Sequence, residues 1–336
     1  QALPGYTGFS DIVTNQGTLR NYGFEAEVRA NIINKGGFTW DMNANISSVA
    51  NKIISLPYNG VDKNRVGGYE VAAGKVGADG KFPTKWIAGR QEGGKLGELV
   101  AYKQQHIFKD WDDVKQHANM RIDEVANLYG PGLADQINPL TNKPYKESTG
   151  WQPIEPGDVC WEDMNGDDVI NGYDRYVVGN IFPNITGGFS TTFGYKGISL
   201  YARFDYALGH TLYNDLAARS LGQYQGSFNV IDKVKDTWSE ANPNSDLPKF
   251  YYADQLSKKN ITRSNDSNTA ADSNSSRFYE KGDYLALREI TLSYQLPKSL
   301  ISKVHMTDAS VYVTGQNLFY ITGYDGVSPE PAVSTT

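Results

Sequence analysis

Apolar and polar residues alternate strictly in two consecutive segments near the start of the chain. From Phe24 to Ile32 every even position is apolar, and the odd positions carry Glu, Arg or Asn. The same alternation runs from Phe38 to Ile46, after a turn sequence of Asn, Lys and two Gly at positions 34–37. Gly tolerates the positive φ of a tight hairpin. Because strand side chains point alternately to two faces, this pattern predicts a hairpin of two long strands with one apolar and one polar face.

The alternation recurs in four later segments, and it persists longer than is usual in a soluble sheet. The six predicted strands span residues 21–33, 37–50, 183–195, 197–208, 284–296 and 309–320. Strands of globular proteins usually have about 5–6 residues, whereas a tilted strand that crosses a membrane needs about 9–11. We therefore predict an all-β fold, a transmembrane antiparallel β-barrel whose apolar rows face lipid and whose polar rows face the lumen.

The connections between the predicted strands are of two kinds. Two are tight turns and residues 297–308 form a modest link, whereas the segments at about 51–180 and 209–280 are very long. Short turns on one side and long extracellular loops on the other are the layout of outer-membrane barrels. The alternating strand direction requires an even number of crossings, or none, within 51–180, and it leaves Thr336 outside the cell. We therefore expect one further strand and a chain that is a portion of a longer barrel.

Two features are predicted within the long loops. Asp110 precedes a Trp-Asp-Asp-Val sequence and resembles a helix start, since Asp caps the first turn and acidic residues favour it. This helix is expected to end near Leu128, before a Gly-Pro pair. Residues 264–276 consist almost entirely of Ser, Asn, Asp, Thr and Ala, which build no core. They are predicted to form a mobile surface loop.

Composition narrows the classes of function. The 336 residues carry a formal net charge of −6, which argues against nucleic-acid binding, since that requires a basic face. No run approaches the ~18 apolar residues of a membrane-spanning helix, and the mean hydropathy is −0.50. The four histidines are scattered, Cys160 is the only cysteine, and no nucleophile-elbow, metalloprotease or phosphate-loop motif occurs. We predict that the chain is not an enzyme.

Residues 163–174 resemble a calcium-binding loop. Asp163, Asn165 and Asp167 stand at positions 1, 3 and 5 of the motif and Asp174 at position 12, and a hard cation prefers such oxygen ligands. Position 6 is Asp168 where Gly normally makes the turn, and position 12 is Asp rather than the longer Glu. The alternative is a loop held by its own Asx turns. Calcium is the one cofactor that the sequence suggests.

Four residues are candidates for contact with a ligand. Arg203 and Asp205 lie two positions apart on the polar row of one predicted strand, together with Tyr201. They are predicted to form a lumen-lining ion pair that contacts substrate or, alternatively, a solvated structural pair. Trp111 lies in the long loop, where its ring could stack on a sugar or, alternatively, pack the loop against itself.

Five segments resemble, in order, the carboxy-terminal part of the SusC-like (RagA-like) branch of the TonB-dependent transporters of Bacteroidetes. They are N-Y-G-F-E-A-E at 21–27, W…N-K-I at 40–53, G-D…D-M-N-G-D…D-R…G…P at 157–183, G-D-Y-L-A-L-R-E-I-T-L-S-Y-Q-L-P at 282–297 and G-Q-N-L-F…Y-D-G…P-E at 315–330. Ala286 stands where these proteins usually have Arg, and Asp168 where they usually have Gly. The first departure removes a loop anchor, and the second argues against the cation site.

This resemblance implies a plugged barrel of about 22 strands in the bacterial outer membrane, of which residues 1–336 are one portion. The plug domain is expected upstream and is absent from this chain. The implied function is active import of an oligosaccharide or a peptide, with a SusD-like surface lipoprotein as partner and TonB as the source of energy. The alternative is a secreted, calcium-stabilised glycan-binding β protein or adhesin, which would be soluble without detergent.

Overall fold

A computed structural model describes residues 17–122, 128–139, 141–147, 152–222, 231–249 and 275–330. The predicted surface loop at 264–276 lies outside the described residues except for its last two. No helix among the described residues is long and apolar enough to cross a membrane. The strands are β1 (Thr18–Lys35), β2 (Phe38–Ser55), β3 (Tyr69–Ala72), β4 (Thr84–Ile87), β5 (Glu98–Tyr102), β6 (Gln104–Ile107), β7 (Arg121–Ile122), β8 (Leu128–Tyr129), β9 (Ile137–Asn138), β10 (Lys143–Pro144), β11 (Gln152–Pro153), β12 (Val159–Trp161), β13 (Val169–Ile170), β14 (Arg175–Asn180), β15 (Ile185–Tyr195), β16 (Ile198–Leu208), β17 (Thr211–Tyr213), β18 (Tyr279–Lys281), β19 (Tyr284–Gln295) and β20 (Ser310–Thr322). The helices are α1 (Trp111–Gln116), α2 (Asp215–Gly222) and α3 (Lys298–Ile301).

The six long strands form one antiparallel sheet in the order β1-β2-β15-β16-β19-β20. Each overlaps one of the strands that the alternation predicts, and their lengths run from 11 residues in β15 to 18 in β1. β2 pairs directly with β15. Residues 56–184, here called the inserted block, therefore connect two strands that are neighbours in the sheet, β2 and β15. None of the block's described strands enters the sheet.

The apolar rows of the strands lie together on one face of the sheet. Val28 and Val313 are largely exposed there, as expected for side chains that face lipid. Near the short turns, the Trp40 ring stacks on Phe193 with centroids 5.6 Å apart. The Trp40 Nε1–H donates to Thr191 Oγ1 at 2.9 Å, which satisfies a polar group that lipid cannot satisfy.

Bulges in β19 and β20 change which residues reach the polar face. One extra residue of β19, Arg288, lies between the residues that pair with Phe204 and Arg203. β20 has a matching irregularity around Asn317, whose φ is 49°. A bulge sets two residues against one and re-aims a side chain. Arg288, which strict alternation would turn towards lipid, is bonded instead to residues of the polar face.

The inserted block has a hydrophobic core of its own. Phe108, Val159 and Trp161 are fully buried in it. Two antiparallel pairs, β5–β14 and β6–β12, and the four-stranded sheet β11-β8-β7-β13 supply its backbone. The other members of the core are Tyr102, Ile107, Val114, Met120, Ile122, Leu128, Ile154, Cys160 and Ile170.

The helix predicted from Asp110 to about Leu128 is wrong in its length. Asp110 does cap α1, because its carboxylate accepts from two backbone N–H groups of the first turn at 2.9 Å. The helix ends at Gln116, since His117 has non-helical φ and ψ of −113° and 34°. The chain then becomes extended in β7, which pairs with β8 and β13. Tertiary pairing thus outweighs the weak local preference for helix.

The segment between β16 and β19 has a smaller core. β17 and β18 pair in antiparallel fashion, and α2 packs nearby. The buried cluster consists of Ala218, Leu221, Leu247 and Phe278.

Candidate functional site

A depression of about 500 Å³ lies on the polar face of the sheet. Asn45, Gly188 and Asp205 line it because they occupy directly opposed positions on β2, β15 and β16. Gly188 has no side chain, and a Cβ at this position would lie only 2.8 Å from the Phe204 carbonyl oxygen. Tyr201 and Arg203 also line the depression. The structure therefore brings together three of the four residues that were predicted to contact a ligand.

The ion pair at this depression joins Asp205 to Arg288. The guanidinium donates through two nitrogens to both carboxylate oxygens, with Nη2 at 2.8 Å from Oδ2, and such bidentate pairs are strongly oriented. Arg288 also contacts Glu330, to which the Tyr320 hydroxyl donates at 3.0 Å. The predicted pairing of Asp205 with Arg203 is wrong. The bulge in β19 turns Arg288 towards the polar face, and its guanidinium binds the Asp205 carboxylate instead.

Arg203 is a cation without a fixed partner among the described residues. Its side chain is exposed on the polar face, opposite Glu289 in the strand register. Within the described part of the chain it forms no ion pair. A guanidinium in this state is available to an anionic ligand group. Contact of Arg203 and Tyr201 with a ligand stays a prediction.

Two residues of this network, Arg288 and Glu330, were not among the predicted site residues. For Arg288 a signal exists: the apolar positions change phase between Leu287 and Ile290, which is the mark of one extra residue. For Glu330 the alternation of apolar and polar residues gives no such signal, because Glu330 lies in an irregular segment after β20. The Arg288–Glu330 contact fastens this segment to the sheet.

Trp111 lies at a different place, on a groove of about 670 Å³ between the inserted block and residues 238–249. Its ring is half-exposed, and Trp238 lines the same groove. The Trp238 Nε1–H donates to the Lys109 carbonyl oxygen at 3.2 Å, which fixes this second indole. Indole rings at an open groove suit stacking on flat apolar faces. The ligand-binding role of Trp111 stays a prediction.

The four predicted calcium ligands come together in one loop. Asp163 and Asp174 each accept two backbone N–H groups, at distances from 2.6 to 2.8 Å. The Asn165 side-chain amide donates to the Asp167 carboxylate at 3.0 Å. Asp168 adopts a φ of 63°, the left-handed conformation that Gly usually supplies. The backbone turn is therefore made in spite of the departure at position 6.

Burial gives this loop an unusual acid. Asp174 and Asn165 are completely buried. Burial raises the pKa of the Asp174 carboxyl to about 6, although two backbone hydrogen bonds act in the opposite direction. Asp163 and Asp167 raise it further by repulsion. An all-oxygen donor set with several carboxylates suits Ca²⁺, and the same carboxylates also satisfy the turn. Calcium binding here stays a prediction.

Comparisons with known proteins agree with this architecture. No family model matches the chain. It is 26% identical to the TonB-dependent receptors P3 and P39 of Formosa agariphila, over 98% of its length in both cases. Among solved structures, the RagAB peptide transporter matches 98% of the chain with a TM-score of 0.61 at 19% identity. Its "open-open" state gives a TM-score of 0.58.

The chain spans only part of these relatives: 27% of P3, 29% of P39 and 28% of the RagAB chain. Over that part, the fold is a stretch of outer-membrane β-barrel wall with large loops. The predicted resemblance to the TonB-dependent transporters, the all-β fold and the outer-membrane location are confirmed. The relatives are named as receptors and as a transporter, in agreement with the prediction that this chain is not an enzyme.

Proposed function

We propose that this chain forms part of the wall and outer loops of an importer for polar oligomers, oligosaccharides or peptides. The observation that carries the proposal is the two-faced sheet, whose polar side holds a depression with an exposed arginine. An apolar outer face anchors such a sheet in lipid, and a polar inner face lets a hydrated ligand pass. The name of one similar structure, a peptide transporter, adds support for the peptide alternative.

In this proposal the described residues have distinct roles. Arg203 and Tyr201 contact the ligand in the lumen, and Trp111 contacts it earlier, in the outer groove. Asp205 is held by Arg288 and shapes the lumen rather than binding cargo. A SusD-like lipoprotein covers the loops from outside, and TonB supplies energy through a plug that belongs to the whole transporter. Calcium at Asp163 and its neighbours would stiffen the loops.

Uptake by a deletion strain tests the importer function. Loss of the full-length gene should abolish growth on at least one member of a panel of glycans and peptides, and the wild-type gene should restore it. If no member of the panel is affected, and the purified protein is a soluble monomer without detergent, the secreted glycan-binding alternative replaces the proposal.

A variant of Arg203 tests the proposed ligand contact. Complementation with Arg203→Gln should lower uptake of the identified ligand severalfold, because the exposed guanidinium is lost while the Asp205–Arg288 pair remains. Lys298→Gln, in α3 between β19 and β20, is the matched loss of charge away from the depression and should leave uptake unchanged. Equal uptake by wild type and Arg203→Gln would remove Arg203 from the ligand path.

A further inference from the structure

Two histidines and the only cysteine of the chain meet inside the inserted block. They come from three separate elements: His106 from β6, Cys160 from β12, and His117 from the residue that follows α1. One ligand atom from each residue lies within 4.8 Å of the corresponding atoms of the other two. The proposed import function uses none of the three side chains.

The local fold explains why these side chains converge. His106 and Cys160 are directly opposed in the antiparallel pair β6–β12, so both project from the same face. The cap at Asp110 fixes the start of α1, and the helix is short enough to deliver His117 to that face. The Cys160 Sγ lies 3.9 Å from His117 Nε2.

We propose that His106, His117 and Cys160 bind a divalent transition metal of the zinc class. Imidazole and thiolate are the ligands that such cations select, whereas Ca²⁺ and Mg²⁺ select oxygen. Neighbouring N and S ligands of tetrahedral zinc are about 3.6 Å apart. The distance of 3.9 Å between His117 Nε2 and Cys160 Sγ is close to this value, and the ligand atoms of all three residues lie within 4.8 Å of one another.

A carboxylate completes the arrangement. Asp113 places both oxygens 3.2 Å from His106 Nε2, and ligating histidines usually have such a carboxylate partner, which orients the ring. Asp113 is thus a positioning residue. On binding, the thiol of Cys160 loses its proton to solvent and the thiolate bonds to the metal, which keeps its oxidation state.

The site would join three segments of the inserted block that are otherwise held by short strands. Cys160 is fully buried and His106 is partly exposed, so a cation could enter from the side of His106. The donor set also separates this site from the all-oxygen loop at Asp163, and the two would bind different cations. The inference is independent of the proposed import function, because it concerns only the inserted block.

Cobalt spectroscopy tests the metal site on the full-length protein in detergent, purified without a histidine tag. Titration with Co²⁺ should give a thiolate-to-cobalt charge-transfer band that saturates at one ion per chain and is displaced by Zn²⁺. Cys160→Ser should abolish the band, and His117→Gln should weaken binding. Asp113→Asn should weaken binding by about 10–100-fold through misorientation of His106.

Two controls keep this test decisive. His305→Asn removes an exposed histidine far along the chain, at a residue whose φ of 61° Asn tolerates, and it should leave the titration unchanged. If Cys160→Ser fails to fold, the wild-type spectrum together with His117→Gln decides. Absence of the charge-transfer band in the wild type, or an undiminished band in Cys160→Ser, would overturn the proposal.

Discussion

The six-stranded sheet and the inserted block use the same kinds of apolar side chain in opposite ways. On the apolar face of the sheet, Val28 and Val313 are 64% and 73% exposed, whereas Val159 and Trp161 in the block are 0% and 1% exposed. Burial from water stabilises a fold by about 25 cal/mol per Å² of apolar surface, but lipid is as apolar as the side chains themselves. The block is therefore held by its core, as a soluble domain is, while the sheet is held by its hydrogen bonds and its match to the membrane.

Removal of a core side chain should show the largest difference in stability between the inserted block and the sheet. Trp161→Ala should destabilise the inserted block by about 3–5 kcal/mol, because it leaves a cavity in a packed core. The substitution also removes the edge-on contact between the rings of Trp161 and Tyr102, whose centroids are 6.4 Å apart. Limited proteolysis should cut the block much faster, while the heat-modifiable gel band of the barrel persists.

The matched control for this prediction is Val313→Ala on the apolar face of β20. It removes an exposed side chain, so neither proteolysis of the block nor heat-modifiability should change. A Trp161→Ala protein as resistant to protease as the wild type would show that the block does not depend on its core.

Two adjacent threonines offer a test of the faces of the sheet. Thr191 shares the apolar face with Trp40, whereas Thr192 lies on the polar face, opposite Asp41 and Tyr201. Thr191→Arg should destabilise the folded barrel more than Thr192→Arg, because a charge on the lipid face costs up to about 2–4 kcal/mol at the middle of the bilayer and less towards its interfaces. Urea unfolding in lipid vesicles measures both. Equal losses would contradict the assignment of lipid and lumen faces.

The lumen network is expected to contribute less than the core. Arg288→Gln removes charge-assisted hydrogen bonds to Asp205 and Glu330, and a hydrogen bond to a charged group contributes about 1.5–3 kcal/mol. Arg203→Gln, at an exposed arginine on the same face, should change stability by less than about 0.5 kcal/mol. Urea unfolding in vesicles compares the two variants. A loss in Arg203→Gln as large as in Arg288→Gln would mean that the wrong arginine has been assigned to the network.

Most of the sheet could be predicted from the sequence, but little of the inserted block could, and the reason is physical. Alternation has a period of two, so it locates β1, β2, β15 and β16 directly. The ion pair of Asp205 with Arg288 was missed because Arg288 is an extra residue that breaks the alternation of β19. In the block, short strands pair across long separations. The helix expected after Asp110 gives way to such pairing. His106 and Cys160 meet only because β6 pairs with β12, which no local spacing reveals.

Asp174 provides the smallest and most specific test of the block. Its pKa, raised by burial to about 6, exceeds the ordinary Asp value of about 4, so the folded loop holds this proton more tightly than the unfolded chain. Between pH 4 and pH 6 its ionisation therefore lowers stability as pH rises, by at most about 1.4 kcal/mol per pH unit. With a chelator present, the melting temperature of the block should fall across this window by more in the wild type than in Asp174→Asn. Asp168→Asn changes an exposed acid at φ 63° and should keep the wild-type slope.

Calcium favours the ionised carboxylate, so added Ca²⁺ should flatten the wild-type slope if the loop binds it. An unchanged slope with Ca²⁺ would favour the loop held by Asx turns alone, and identical slopes in wild type and Asp174→Asn would mean that the buried carboxyl does not control it.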